Sequence, residues 1–217
     1  MGTITRSFAN NITTSGVLLP ASLTNNSIAN VTAYNASVAT GGMKLISSQT
    51  ASNSASISFT TGIDSTYKEY QFWFINVAPR TDGASFQFNS STDSGSNYNV
   101  TKTSSYFVAY HNEGDTGAVL SYDVNFDLAQ STAFQTISHE QGNGADENSG
   151  GSLQLFNPAS TTYVKHFISR FSALYYADYA FDNNSAGYFN TTSAINAVQF
   201  KMSSGNFDGT ILMYGIV

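Results

Sequence analysis

The sequence has 217 residues, of which 10% are charged, 14% are aromatic and none is cysteine. The absence of cysteine excludes a disulfide framework and a thiolate metal site. The net charge of -6 and the scattered positions of only eight Lys and Arg residues disfavour nucleic-acid binding, which needs clustered basic side chains. We also expect no secretion signal and no membrane span, because apolar runs such as residues 17–20 are too short.

Length and composition together favour one β-rich domain. All-β domains of this size are often single, and sixteen Phe and thirteen Tyr residues supply large side chains for a core. Ser, Thr, Asn and Gly fill most of the remaining positions, which gives a surface of hydroxyl and amide groups instead of ions. Such a surface suits permanent packing against neighbouring subunits, or contact with neutral partners such as sugars.

Residues 1–40 differ from the rest of the chain. They contain one charged residue, Arg6, and two aromatic residues, Phe8 and Tyr34, and their apolar residues follow no sustained period. A segment of this kind cannot build a core of its own. We predict an extended N-terminal assembly arm that orders against a neighbouring subunit, because residues such as Leu18 favour burial. A flexible tail is the alternative.

The segment 69–77 predicts a strand that is apolar on both faces. The two alternating sets are Tyr70, Phe72 and Phe74 on one face, and Trp73, Ile75 and Val77 on the other. A strand with this pattern is covered on both sides. We therefore predict that the face carrying Trp73 is an oligomer interface, since an exposed apolar area of that size marks a contact surface.

Further strands follow at short spacing, separated by polar turns. Strands are predicted at 56–59, 86–88, 105–111, 118–122, 133–137, 153–156, 198–202 and 210–217, and a strand pair or one bent strand at 163–176, with polar loops at 91–97 and 142–151. The last two strands are predicted to pair as a hairpin. About ten strands without a helical stretch predict an all-β fold, a jelly-roll-like antiparallel β-sandwich over residues 41–217. No repeat of solenoid length is present, which disfavours a β-helix.

None of the three histidines lies in a motif that indicates catalysis. His111 stands at a predicted strand end before a polar, acidic loop, and a metal or acid–base cluster is the alternative there. His139 precedes Glu140, but the second histidine of a zinc-protease helix is missing. His166 lies among aromatic residues, where we expect a partly buried ring. The sequence has no nucleophile elbow and no phosphate-binding loop, and we expect no enzymatic activity.

The interval between Lys102 and Lys165 holds seven acidic residues and no basic one. Calcium prefers carboxylate, amide and carbonyl oxygens in flexible loops. The candidate calcium ligands, from two such loops, are Glu113, Asp115, Asp146 and Glu147. A solvated acidic face is the alternative, because the spacing matches no EF-hand. We expect no other cofactor.

A cluster of aromatic and short polar residues follows residue 174. Aromatic rings stack on the apolar face of a sugar, while Asp and Asn side chains bind its hydroxyl groups. The candidate glycan-binding residues are Tyr175, Tyr176, Tyr179, Asp182 and Asn183. A core strand followed by a turn is the alternative interpretation of this segment.

Five segments distributed over the chain carry a resemblance to a known group of proteins. They are Leu-Ile-Ser-Ser-Gln-Thr-Ala-Ser at 45–52, Gly-Ile-Asp-Ser-Thr-Tyr at 62–67, Val-Lys-His-Phe-Ile-Ser-Arg at 164–170, Gly-Tyr-Phe-Asn-Thr-Thr at 187–192 and Lys-Met-Ser-Ser-Gly-Asn at 201–206. With these segments the chain resembles virion structural and tail-fibre-like proteins of marine tailed bacteriophages, of the cyanophage and pelagiphage type. The resemblance implies a place on the virus particle after synthesis in the bacterial cytoplasm, and it brings no catalytic residues.

These features together predict a non-enzymatic virion protein at the capsid surface or at the tail, anchored by residues 1–40. We expect a homo-oligomer, in the form of a trimer, that contacts other virion proteins and a host surface glycan. One alternative is a lectin-like module whose role is to bind a host glycan. The other is an enzyme that degrades polysaccharide.

Overall fold

A computed structural model of the chain describes residues 42–217. The predicted arm at 1–40 lies outside the described residues. The described part is all-β: it contains thirteen strands, paired antiparallel, and no helix. Consequently this part of the chain offers no helix long and apolar enough to cross a membrane.

The strands are joined by short turns and loops. Their bounds are β1 Met43–Ser54, β2 Ile57–Phe59, β3 Glu69–Pro79, β4 Ala84–Ser91, β5 Lys102–Asn112, β6 Ala118–Tyr122, β7 Leu128–Ser131, β8 Gln135–Gln141, β9 Ser149–Phe156, β10 Lys165–Tyr175, β11 Tyr179–Phe189, β12 Ala197–Met202 and β13 Phe207–Ile216. The strand predicted at 118–122 is confirmed with its bounds. Most of the others are confirmed with ends that differ by a few residues.

Eight of the strands form a jelly-roll framework. One sheet has the order β1-β13-β3-β9, and the other has the order β2-β12-β4-β8. If these eight strands alone are numbered from 1 to 8 in chain order, the first sheet has the order 1-8-3-6 and the second sheet has the order 2-7-4-5. This is the strand order of a jelly roll, in which two Greek keys wrap into facing sheets. The predicted fold class is therefore confirmed for the described residues.

Five further strands are inserted into this framework. In the sequence, β5, β6 and β7 come between β4 and β8, while β10 and β11 come between β9 and β12. In space, β10 pairs with β9, β11 pairs with β10 and β5 pairs with β11, so these strands extend the first sheet beyond β9. A single residue pair, Tyr175 with Gln141, joins β10 to β8 and links the two sheets on this side.

Phenylalanine rings from both sheets form the main core. Phe72 and Phe74 of β3 meet Phe200 of β12 with ring centroids 5.2 and 5.0 Å apart. Phe171 of β10 continues the cluster at 4.9 Å from Phe74. Aromatic pairs of this kind contribute roughly 0.5–1.5 kcal/mol each beyond the area that they bury. A second, smaller cluster around Tyr106 lies beneath the inserted strands.

A backbone irregularity in β3 changes the face that Val77 occupies. Asn76 has a φ of 52°, in the left-handed region, and the pairing of β3 with β9 shifts register between Phe74 and Val77. A bulge of this kind adds one residue to a strand, so that the residues after it face the opposite way. Val77 is therefore buried in the core, which corrects its predicted place on the interface face. Trp73 and Ile75 do lie on the outer face, where both are exposed.

The last part of the chain departs from prediction in two places. The predicted hairpin is wrong, because β12 lies between β4 and β2 whereas β13 lies between β1 and β3. The turn at 203–206 instead passes from one sheet to the other, as the jelly-roll order requires. The polar segment 182–184 lies inside β11, and the turn that precedes this strand falls at 176–178.

Candidate functional site

A cavity of about 600 Å³ lies among the inserted strands. Its walls come from β5, β6, β8, β10 and β11, and from the loop at 123–127 that follows β6. We call it the aromatic cavity, after Tyr110, Tyr175, Tyr179 and Phe181 in its wall. Concave sites of this volume, with apolar walls and a few polar groups, are the usual places where proteins bind small molecules.

Strand pairing assembles the aromatic wall. The pairing of β5 with β11 places Tyr110 opposite Phe181, and their rings stack with centroids 5.0 Å apart. The tight turn between β10 and β11 brings Tyr175 onto Phe181 at 4.5 Å, with an interplanar angle of 16°. Tyr179 lies 5.5 Å from Tyr110, edge to face. Tyr110, Tyr175 and Tyr179 are half-buried, so each presents part of its ring to the cavity.

His139 of β8 forms part of the inner wall and is only 4% exposed. Its ring lies 4.6 Å from the ring of Phe126 and 4.9 Å from that of Phe181. Burial lowers the pKa of His139 from 6.5 to about 4, against the opposing charge of Asp123, so the ring is neutral near neutral pH. Its Nδ1 has no hydrogen-bond partner among residues 42–217. Leaving a buried polar atom unpaired costs roughly 1–3 kcal/mol.

Two carboxylates lie in the wall of the same cavity. Asp123 Oδ1 accepts hydrogen bonds from the backbone and side-chain nitrogens of Asn125, at 2.9 and 3.0 Å. Glu140 has a φ of 45°, and its backbone N–H donates to Ser85 Oγ at 3.1 Å. A left-handed non-glycine residue costs about 1–3 kcal/mol, and such residues cluster at binding sites. Within the described part of the chain, neither Asp123 nor Glu140 forms an ion pair.

The structure divides the predicted glycan-binding residues into three groups. Tyr175 and Tyr179 line the aromatic cavity. Tyr176 is exposed at the β10–β11 turn, with its ring 4.3 Å from that of Tyr175. Asp182 and Asn183 lie further along β11 and do not line the cavity.

Asn183 is fully buried, which removes it from the predicted set of ligand-binding residues. Its Oδ1 accepts a hydrogen bond of 2.6 Å from the hydroxyl of Tyr106, which is also fully buried. Burial is the largest of the effects that raise the pKa of Tyr106. Asn183 therefore satisfies a core hydroxyl and has no surface left for a sugar.

Asp182 lies on the opposite, outer face of the extended sheet. Its carboxylate accepts two hydrogen bonds from Arg170, at 2.9 Å from Nε and 2.7 Å from Nη2. Trp73 stands in the same row of the sheet as Arg170, because both pair with Ser152. A groove of about 520 Å³ runs between Trp73 and the Arg170–Asp182 pair, with Gly150 in its wall. We call it the outer groove.

The four candidate calcium ligands lie in two separate loops. Glu113 and Asp115 are in the β5–β6 turn, where Asp115 Oδ1 is 3.1 Å from His111 Nε2. Asp146 and Glu147 are in the loop before β9, and the Glu147 carboxylate accepts a hydrogen bond from a backbone nitrogen of that loop. Between residues 42 and 217, no three carboxylate or imidazole side chains come close enough to share a metal ion.

Several cavity residues stand in no sequence motif that predicts a binding site. They are Tyr110, Ser121, Asp123, Asn125, Phe126, His139 and Glu140. Of the histidines, His139 is in the cavity although its sequence motif is uninformative, while His166 is exposed instead of partly buried. The one useful hint is the base-free interval after Lys102, because both cavity carboxylates come from it.

Comparison of the chain with protein-family models, with curated proteins and with solved structures found no match.

Proposed function

We propose that this chain is a non-enzymatic structural protein of a tailed-phage particle, which assembles as a homo-oligomer at the capsid surface or the tail. The resemblance to virion structural and tail-fibre-like proteins supports the setting. The jelly roll supports it as well, because this architecture is common in viral capsid and lectin domains. The observation that carries the assembly role is the exposure of Trp73 and Ile75 on one sheet face.

The outer face of the first sheet has the chemistry of an interface between copies of the chain. Trp73 is 44% exposed, Ile75 is 43% exposed and Ile168 is 50% exposed. Arg170 and Asp182 on the same face neutralise each other. Exposed apolar side chains grouped in this way mark protein contacts, and a second copy brings the same apolar groups without introducing unpaired charge.

The edge of this sheet supports the proposed anchor. Among the described residues, β1 pairs with β13 alone, so its other side is an unpaired edge. Met43 and Leu45 of β1 are exposed, and the strand begins at Met43, close in sequence to residues 1–40. An open edge is a template for pairing with another chain. We infer that residues 1–40 and this edge together bind a neighbouring subunit or another virion protein.

Light scattering of the full chain at micromolar concentration tests the assembly role. We expect the wild-type chain to form a trimer. We expect this trimer to dissociate in the double variant that combines Trp73→Thr and Ile75→Thr. Tyr163→Thr is the matched control, since Tyr163 is exposed in the loop before β10. Trp73 is the single tryptophan, so its fluorescence should shift to shorter wavelength as the oligomer forms. A monomeric wild-type chain would contradict the proposal.

Glycan binding is the second candidate function, and the aromatic cavity favours it. Tyr175 and Tyr179 present rings beside Asp123 and Glu140, which combines stacking surfaces with hydroxyl acceptors. A glycan array or whole-cell binding assay tests this role, and Tyr179→Ala should abolish the signal. Incubation with host polysaccharide should release no new reducing ends, since the role is binding and not cleavage.

A further inference from the structure

We infer that the aromatic cavity binds a ligand bearing a primary ammonium group, with an amino sugar as the ligand class. This inference rests on the second proposed function, glycan binding, and names the sugar chemistry that the cavity selects. Two features carry it: carboxylates that form no ion pair within residues 42–217, and half-buried aromatic rings in the same wall.

The charge of the cavity wall is negative and uncompensated. Asp123 and Glu140 both line it, and the wall contains no Lys or Arg side chain. The ion pairs of residues 42–217 involve other carboxylates, those of Asp115, Asp182 and Asp208. A half-buried carboxylate that has no ion-pair partner gains a charge-assisted hydrogen bond from a cation that arrives with the ligand. An anionic sugar, by contrast, would be repelled.

The aromatic wall favours the same ligand. Tyr110, Tyr175 and Tyr179 are half-buried around the cavity. Cations are attracted to the faces of aromatic rings, and C–H groups of a sugar ring pack on them. An amino sugar supplies both the cation and the apolar ring face. This combination distinguishes it from a bare metal ion, which has no apolar face to pack on the rings.

The two carboxylates select for an ammonium group that still carries N–H donors. An ionised carboxylate only accepts hydrogen bonds, and a primary ammonium has three donors. Asp123 and Glu140 therefore offer the acceptors that such a group requires. A quaternary ammonium has no N–H and cannot donate to either carboxylate.

Titration of the full chain with glucosamine, N-acetylglucosamine, glucose and choline tests the inference, at a pH where the amine is protonated. Tyrosine fluorescence or amide chemical shifts report binding. We expect glucosamine to bind at least about tenfold more tightly than each of the other three, which corresponds to about 1.4 kcal/mol. Raising the salt concentration should weaken glucosamine binding, because the interaction is partly ionic.

Charge-neutralising variants identify the acceptors. Asp123→Asn and Glu140→Gln should each weaken glucosamine about tenfold or more, while Glu113→Gln, an exposed carboxylate outside the cavity, should leave it unchanged. Tyr179→Phe keeps the ring and should retain binding, which guards against loss through misfolding. Equal binding of glucose or N-acetylglucosamine would overturn the ammonium inference and leave glycan binding intact. Choline binding as tight as glucosamine would overturn it too, and binding of no ligand would remove both proposals.

Discussion

The hydroxyl of Tyr106 donates a hydrogen bond of 2.6 Å to Oδ1 of Asn183, between two neighbouring strands and out of contact with solvent. This pair explains why the polar segment 182–184 belongs to a strand. Asn183 faces inward to satisfy a buried tyrosine, whereas Asp182 and Asn184 are only half-buried on the other face of β11.

Asn183→Leu should therefore act on stability and not on ligand binding. The change leaves the Tyr106 hydroxyl buried without its acceptor, which costs about 1–3 kcal/mol of unfolding free energy. Urea denaturation measures the loss. Adding Tyr106→Phe should recover part of it, because both polar partners are then gone. Loss of sugar binding at unchanged stability would instead indicate that Asn183 contacts the sugar.

Burial of His139 predicts a pH dependence of stability. Because the folded-state pKa of His139 is about 4, the unfolded chain binds a proton between pH 6.5 and 4 that the folded chain does not. The contribution of neutral His139 to stability is therefore complete above pH 6.5 and falls as the pH drops toward 4, by about 3 kcal/mol in all. His139→Phe should flatten the fall in thermal unfolding across this range. The exposed His111→Gln should retain it, and an identical slope in both variants would refute the assignment.

Lys102 is a buried amine without a carboxylate partner among the described residues. It is fully buried, its Nζ donates to the carbonyl of Ala133, and burial lowers its pKa to about 7. The unfolded chain remains protonated up to pH 10.5, so the cost of this burial is greatest at pH 7 and below and disappears as the pH rises toward 10.5.

Lys102→Met should consequently stabilise the fold at pH 7, by about 1–3 kcal/mol. The Ala133 carbonyl keeps a second donor, Asn89 Nδ2 at 3.4 Å. Chemical denaturation at several pH values measures the gain, which should shrink at alkaline pH. Lys44→Met, at an exposed position of β1, should produce no such gain. Destabilisation by Lys102→Met at every pH would show that the hydrogen bond to Ala133 outweighs the burial cost.

Two adjacent glycines in β9 should respond differently to alanine. A Cβ at Gly151 would press into the carbonyl of Arg170 and lie 2.6 Å from the ring of Phe171, whereas a Cβ at Gly150 would meet only the Phe74 carbonyl, at 3.5 Å. Gly151→Ala should lower the unfolding free energy by about 1–3 kcal/mol, because the core there is full. Gly150→Ala should change it by less than about 0.5 kcal/mol. Thermal unfolding of the pair provides the comparison, and equal losses would contradict this packing.

Local patterns predict the fold well where each residue's environment follows from its neighbours. The strand at 118–122 and the inward set Tyr70, Phe72 and Phe74 are examples, because alternation fixes their faces. Val77 is the counter-example, since a left-handed Asn76 reverses the alternation and nothing in the residue types signals it. The hairpin of β12 and β13 fails for a different reason: adjacency in sequence does not reveal that a turn crosses between sheets.

The candidate site is harder to predict than the fold, because the residues that form it are distant in sequence. Tyr110, Asp123, His139 and Tyr179 meet only after β5, β8 and β11 have found their places in the sheets. The sequence cluster at 175–183 contributes two tyrosines, and the pleat of β11 directs its remaining polar residues elsewhere. A cluster in the sequence therefore predicts the correct region of the chain, but not which of its residues line the cavity.

The aromatic cavity is formed mainly by the inserted strands and their loops, and only to a small extent by the framework strands. Of the residues that line the aromatic cavity, only His139 and Glu140 belong to the eight framework strands, and the rest come from the two insertions or their loops. In the proposed assembly face, Trp73 and Ile75 belong to the framework, whereas Ile168, Arg170 and Asp182 belong to the second insertion, β10 and β11. Under the proposed function, exchange of the first insertion, β5 to β7, would therefore change the wall of the aromatic cavity and leave the assembly face unaltered.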